Sequence, residues 1–195
     1  MNNQATRQQI ILQRQEQGTI QQLRSAKQMM QQACTLSIVK YAHRIAFYLA
    51  VNGEMDCSFL IEWCWRHNKE CYLPILHPYK AGYLQFCRYE PHDPLKVNRF
   101  GIQEPLVKSN RLLPPALLDI VFTPLVAFSE TGDRLGTGGG YYDRTFAFKK
   151  NSSKRKPILN GVGYEFQKTA GININPWDVP MEWAVTDKNV YHFYR

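Results

Sequence analysis

The chain has 195 residues, 44% of them hydrophobic and 21% charged, with a formal net charge of +8 at pH 7. A chain of this length buries about 70% of its extended surface, so it needs no staple, and its composition excludes a disordered or fibrous protein. The positive balance suits an anionic partner, whether nucleic acid, a membrane surface, or a phosphorylated or polycarboxylate small molecule, and does not choose among them.

In chain order, the polar, Gln-rich N-terminus lacks the apolar centre of a signal peptide. Residues 3–16 and 19–38 are predicted helices, because each holds good helix formers and no proline, with Gly18 between them. Ile20, Leu23, Met30 and Leu36 form the apolar stripe of the second. The run from Arg44 to Val51 is short and nearly continuous in apolar residues, as in a strand buried on both faces. Asn52-Gly53 breaks it, and Asp56 or Ser58 is placed to cap a helix running to about Glu70. Cys71 to Leu76 is the next predicted strand, completing a βαβ unit. Tyr83 to Tyr89 is a further strand, set in a loop-rich, proline-punctuated stretch over residues 77–116.

Leu117 to Phe122 is another buried strand, followed by Val126-Ala-Phe128 and a glycine-rich segment, Ser129 to Gly140. Tyr141 to Phe146 is predicted helical and Ile158 to Tyr164 a strand. Glu165 to Ala170 is a short helix, and Glu182 to Thr186 and Val190 to Phe193 are closing strands. The alternation predicts a single-domain, Rossmann-like α/β three-layer sandwich over residues 1–195, with a largely parallel sheet and N-terminal helices. No apolar run reaches the roughly 18 residues of a membrane span. The five cysteines are odd in number and form no CxxC pair, which predicts free thiols in a reducing, cytoplasmic setting. Cys64, His67 and Cys71 are near one another in sequence but match no common zinc spacing.

Five of the twelve glycines fall between Gly132 and Gly140, after a buried strand and before a helix. In open α/β sheets, ligands bind beyond the carboxyl ends of strands. Glycines let backbone amides approach an anion, and the helix start adds free N–H groups. Arg134 offers a planar fork for phosphate. Asp143, near the helix start, can reach a metal or cap the helix. No Gly-Lys-Ser/Thr follows, so this is not a Walker loop. Tyr141 stands at the third glycine of the dinucleotide fingerprint, so it is not that motif either. Chemistry alone leaves the reaction open.

The stretch from Leu118 to Arg144, LDIVFTPLVAFSETGDRLGTGGGYYDR, resembles the signature of the 5-formyltetrahydrofolate cyclo-ligase (methenyltetrahydrofolate synthetase) family. Arg44 to Leu49 followed by Glu54, the segment Phe100 to Pro105, Gly161 to Gln167, and Trp177 to Asp187 resemble further family segments in the right order. The resemblance implies ATP-dependent conversion of 5-formyltetrahydrofolate to 5,10-methenyltetrahydrofolate, ADP and phosphate. The formyl oxygen takes the γ-phosphoryl group and N10 then attacks. It also implies site roles. Arg7, Arg134, Leu135, Gly136, Thr137, Gly138, Gly139, Gly140, Tyr141 and Tyr142 would bind ATP, with Arg134 and Tyr142 catalytic. Leu49, Glu54, Gly138, Gly139, Gly140 and Tyr141 would bind the folate, Glu54 through the pterin ring. Asp143 and Asp178 would hold Mg²⁺. Asn3 and Trp177 stand where the family often has Lys and His.

The expected partners are small molecules, ATP and a folate that can be polyglutamylated, with no nucleic acid, no membrane and a monomeric state. The clustered positives Lys149, Lys150, Lys154, Arg155 and Lys156 are candidates for attracting a glutamate tail.

Overall fold

A computed structural model describes residues 3–106, 109–151 and 156–194. Three helices open the chain: α1 (Asn3–Gln15), α2 (Thr19–Thr35) and α3 (Ser37–Tyr41). There follow β1 (Arg44–Ala46), α4 (Ser58–Arg66), β2 (Glu70–Leu76), β3 (Leu84–Arg88), β4 (Leu95–Val97), β5 (Gln103–Pro105) and β6 (Leu112–Leu113). The second half holds β7 (Ile120–Pro124), β8 (Ala127–Ser129), β9 (Arg134–Leu135), α5 (Tyr141–Phe146), β10 (Ile158–Val162), β11 (Lys168–Thr169), β12 (Trp183–Val185) and β13 (Val190–His192).

The main sheet has eight strands in the order β13-β12-β10-β7-β1-β2-β3-β6. The five from β12 to β2 are parallel, and β13, β3 and β6 add antiparallel edges. Side chains alternate between the faces, as period-2 geometry requires. Ile45, Phe47, Ile120 and Phe122 enter the core shared with α2 and α4, whereas Ala46 and Val121 join Phe146 of α5 on the opposite face. The expected three-layer α/β sandwich is therefore present.

Several local expectations change. The ladder of β1 stops at Ala46, with one more bond from Phe47 N to Tyr72 O, and the chain then leaves the sheet. The second predicted helix is interrupted at Leu36, whose ψ of 124° is extended. Its buried face is Ala26, Met29 and Ala33, while Ile20 is 79% exposed. The small alanines let α2 lie close against α4, so contact, not side-chain size, selects the inner face. The helix expected to reach Glu70 ends at Arg66, because Asn68 turns the chain with φ of 54° and Glu70 already belongs to β2. Glu165 to Gln167 is a 3₁₀ turn that passes directly into β11.

Outside the main sheet, β4–β5 is a hairpin, and β8–β9 with β11 forms a three-stranded sheet. Helix α1 lies across the open end of the β8–β9 hairpin. Arg7 Nε donates to Gly136 O at 2.8 Å, just past β9, and Arg14 Nη2 donates to Leu125 O, just before β8. Two arginines seven residues apart share one helix face, so both ends of the hairpin are tied to the same helix.

Gly161 of β10 shows how tightly the sheet is covered. A Cβ there would lie 2.3 Å from Met181 Sδ and 2.7 Å from Leu125 Cδ2. Gly161→Ala is expected to destabilise the fold by about 1–3 kcal/mol through overpacking, read as a lowered thermal midpoint.

Candidate active site

Strand β1 is the switch point of the sheet, since the chain moves from it to β2 on one side and from β7 to β10 on the other. Loops leaving the carboxyl ends of such strands diverge and open a crevice. A cavity of about 510 Å³ lies there, lined by Tyr48, Leu49, Val51, Asn52 and Glu54 after β1, by Pro124 and Leu125 at the end of β7, and by the glycine segment. Its volume falls within the range of small-molecule sites.

The floor is built from the β1 loop. Asn52 and Gly53 take left-handed φ values of 50° and 72°, the pair an Asn-Gly turn is suited to adopt. Glu54 follows, with its N–H donating to Val51 O at 3.0 Å and its Oε2 accepting from Val51 N at 3.2 Å. Tyr48 Oη donates to Met55 O at 2.7 Å and closes the loop. Burial raises the pKa of Glu54 above the usual glutamate value, while the Val51 N–H and the charge of Arg14 oppose that rise. Leu49 is half-buried and lines the cavity beside it.

The opposite wall is the glycine loop. Gly138 and Gly140 hold φ values of 106° and 63°, and Gly140 is the N-cap of α5. Arg144 braces the loop from outside, with Nε donating to Gly82 O at 2.9 Å and Nη2 to Gly139 O. The side chain of Arg134 is 6% exposed, and its Nη2 meets Asp143 Oδ1 at 2.8 Å. Its guanidinium carbon sits 5.4 Å from the ring centroid of Tyr142. Burial pushes the Tyr142 hydroxyl well above its ordinary pKa, against the opposing charge of Arg134, so it is a neutral hydrogen-bonding group at physiological pH. Asp143 Oδ1 also accepts from Val179 N at 3.2 Å, which joins the loop to the segment carrying Asp178. Asp178 Oδ2 accepts from Asn175 N at 2.7 Å.

All the site residues named from the sequence line this one cavity. Leu135 does so from a largely buried position. Asn3 is clipped to the same rim, with Nδ2 donating to Asn173 O at 2.8 Å and Oδ1 accepting from Asn173 N at 3.2 Å. Trp177 is 65% exposed at that rim.

Part of the signature lies elsewhere. Asp119 is at the opposite end of β7, accepting from His43 N and Arg44 N at 2.9 Å and from Lys156 Nζ at 2.5 Å. Its role is to tie β7 to the start of β1. Lys149 meets Glu182 Oε1 at 2.6 Å, and Lys150 donates to Pro176 O. The described members of the basic cluster therefore hold protein groups, and Lys154 and Arg155 lie outside the described residues.

Three cavity or support residues went unassigned from the sequence. Glu104 is largely buried, accepting from Leu76 N at 3.3 Å and Asn98 Nδ2 at 3.2 Å, and it fixes the β4–β5 hairpin against the sheet. That hairpin carries Phe100 to within 5.9 Å, centroid to centroid, of Tyr141 in an edge-on contact. Arg14 is 2% exposed beneath the Glu54 turn. Its signal was the seven-residue spacing from Arg7 on one helix.

The fold and site define an α/β protein in which a glycine loop and a half-buried carboxylate line one switch-point cavity. The family model described as the 5-formyltetrahydrofolate cyclo-ligase family matches residues 1–187. A Haemophilus influenzae 5-formyltetrahydrofolate cyclo-ligase is 42% identical over 162 residues, covering 83% of this chain and 85% of that protein. One from Escherichia coli K12 is 40% identical over 171 residues, covering 86% and 92%. The solved structure of Aquifex aeolicus 5,10-methenyltetrahydrofolate synthetase superposes with a TM-score of 0.82 at 28% identity, covering 100% of this chain and 94% of that one. The chain belongs to the 5-formyltetrahydrofolate cyclo-ligase family.

Proposed function

We propose that this protein, as a single catalytic domain, uses ATP to cyclise 5-formyltetrahydrofolate to 5,10-methenyltetrahydrofolate, releasing ADP and phosphate. The observation that carries the reading is the meeting of Glu54 and the glycine loop in one cavity, from elements eighty residues apart in sequence. The carboxylate of Glu54 accepts hydrogen bonds from the pterin amino group and ring N–H. The amides of Gly136 to Gly140, the start of α5 and Arg134 receive the ATP phosphates, with Arg7 beside them. The formyl oxygen attacks the γ-phosphorus and the bond to the β-phosphate oxygen breaks, giving ADP. N10 then attacks the activated carbon and gives up its proton to solvent, and the C–O bond breaks with release of phosphate. An oxygen that leaves poorly has become one that leaves well. The protein's part is alignment and charge neutralisation. Arg134 supplies the charge, and Tyr142 fixes its orientation and lines the reacting region.

Mg²⁺ fits the residues present. Asp143 and Asp178 offer hard oxygens on adjoining segments, and no group of three or more His, Cys, Asp or Glu suited to a metal forms among the described residues. Mg²⁺ is usually held by one or two carboxylates with waters and phosphate oxygens, and would neutralise phosphate charge here. Asp143→Asn is expected to raise the Mg²⁺ concentration needed for half-maximal turnover at least about tenfold. An unchanged Mg²⁺ titration removes Asp143 as a ligand.

No helix among the described residues is long and apolar enough to cross a membrane. We assign the protein to the cytoplasm as a monomer acting on small molecules, polyglutamylated folate included. The deciding assay mixes purified protein, 5-formyltetrahydrofolate and Mg-ATP and follows absorbance of the methenyl product. Absence of product with any nucleotide overturns the reading.

A further inference from the structure

The chain has four tryptophans. Three are partly buried and pack on a ring partner within the chain: Trp63 on His67 at 4.0 Å between centroids, Trp65 on Tyr89 at 5.3 Å and Trp183 on His192 at 3.9 Å. Among the described residues Trp177 is the one tryptophan without such a partner. It is 65% exposed, and it lines the cavity that brings Glu54 and the glycine loop together. An indole is a large apolar face, and leaving it in water forgoes its burial.

The segment that carries Trp177 is fastened before any ligand arrives. Asn3 and Asn173 exchange two hydrogen bonds, of 2.8 and 3.2 Å. Asp178 Oδ2 accepts from Asn175 N at 2.7 Å and Asp178 N donates to Asn175 O at 3.0 Å, which closes a turn around Trp177. Lys150 Nζ donates to Pro176 O and, at 3.3 Å, to Asp178 O, and Val179 N donates to Asp143 Oδ1 at 3.2 Å. A ring presented on a segment so held gives up little freedom when a ligand stacks on it.

The place of this segment along the glycine loop says which ligand that is. Asn3 and Arg7, four residues apart, share one face of α1, and Arg7 Nε donates to Gly136 O at 2.8 Å. The Trp177 segment, clipped to Asn3, therefore flanks the loop at its Gly136 end. At the other end Phe100 meets Tyr141 edge-on at 5.9 Å. Asp178, next in the chain to Trp177, is one of the two carboxylates assigned above to Mg²⁺ beside the phosphates. The base of a nucleoside triphosphate hangs from its phosphates by one ribose, and it is the flat, least polar part of that molecule. We propose that Trp177 is the nucleotide-selecting residue, whose indole stacks on the base of the bound triphosphate and favours purines, because two fused rings offer it more face than a pyrimidine does. Stacking reads no hydrogen-bonding edge, so ATP and GTP are both accepted. This inference rests on the glycine loop binding ATP, as proposed above.

The test measures dissociation constants of Mg-ATP, Mg-UTP, magnesium tripolyphosphate and 5-formyltetrahydrofolate by calorimetry for the wild type, Trp177→Ala and Trp177→Phe. Trp177→Ala is expected to weaken ATP roughly tenfold, the scale of one base–aromatic stack, to weaken UTP less, and to leave tripolyphosphate and the folate at their wild-type values. Trp177→Phe recovers most of the ATP affinity. Unchanged ATP affinity in Trp177→Ala, or equal weakening of ATP and tripolyphosphate, overturns the proposal, since in the second case the residue acts on the phosphates or on the fold of its segment. Weakening of the folate alone also overturns it and gives this flank to the other substrate. Failure of the wild type to bind either ATP or tripolyphosphate overturns the ATP reading itself, whatever Trp177 does. Should Trp177→Ala fail to fold, fluorescence decides: ATP is expected to quench the wild-type tryptophan emission, tripolyphosphate to leave it unchanged, and Trp177→Phe to lose the quench. A quench that survives in Trp177→Phe counts against the proposal.

Discussion

Glu54→Gln is expected to raise the KM for 5-formyltetrahydrofolate by about two to three orders of magnitude, with the KM for ATP little changed. The carboxylate presents two acceptors, and the pterin edge presents two donors. Glutamine turns one acceptor into a donor, so one hydrogen bond to a charged group is lost and two donors face each other. A hydrogen bond to a charged group contributes about 1.5–3 kcal/mol, and the unpaired buried donor adds a similar penalty. Steady-state kinetics with each substrate varied in turn checks this split. A loss shared equally between folate and ATP would place Glu54 elsewhere in the mechanism.

The same substitution has a signature without substrate. Burial holds the pKa of Glu54 above its unfolded value, although the Val51 N–H and Arg14 limit the rise. The folded state therefore binds the proton more tightly than the unfolded one. The stability this contributes is fully present below the ordinary glutamate pKa and is lost as pH rises through the folded value. Glu54→Gln removes that dependence. The thermal midpoint of the variant minus that of the wild type is expected to increase with pH across this window and then level off. Calorimetry of both proteins from pH 4 to 8 reads it directly, and a difference that shrinks with rising pH contradicts the assignment.

Arg134→Met is the second large effect, expected as a fall in kcat of about a thousandfold or more, the scale on which a charge at a transferring phosphoryl group acts. Arg134 is held in place before substrate arrives, with its side chain 6% exposed and its Nη2 2.8 Å from Asp143. Its charge therefore needs no reorganisation when the phosphoryl group moves. Arg134→Lys is expected to recover only part of the loss, because an ammonium cannot present a planar fork to Asp143 and phosphate together. Separate measurement of kcat, both KM values and the thermal midpoint checks the role. A variant whose kcat survives while its midpoint falls assigns Arg134 to structure alone.

The four inner strands were legible because burial on both faces leaves continuous apolar runs, as in Ile45 to Phe47 and Ile120 to Phe122. Strands of two or three residues such as β4, β5, β9 and β11 were not, since a period of two cannot show itself over so few positions. The inner face of α2 was misread because it is made by Ala26, Met29 and Ala33 and not by the larger Ile20 and Leu23. Within the site, the glycine loop was legible because its conformation is written into consecutive residues. Arg14 was not, because the groups that make it special, Leu125 O and Gln167, lie more than a hundred residues away. Asp119 shows the converse. It sits inside the most recognisable stretch of the chain yet serves the far end of the sheet.

Helix α1, tied to Gly136 and Leu125 by its two arginines, also sets an order of events on the ribosome. It is made before its anchors, which come 129 and 111 residues later. At bacterial or eukaryotic elongation rates that is a delay on the order of ten seconds. Through that interval the helix has no hairpin to lie on, and Arg14 has no carbonyl to hold. The cavity cannot begin to assemble until Leu125 and Gly136 have been made, and the clip from Asn3 to Asn173 closes later still. The nascent chain therefore acquires the glycine-loop wall of its cavity well after the helix that braces it.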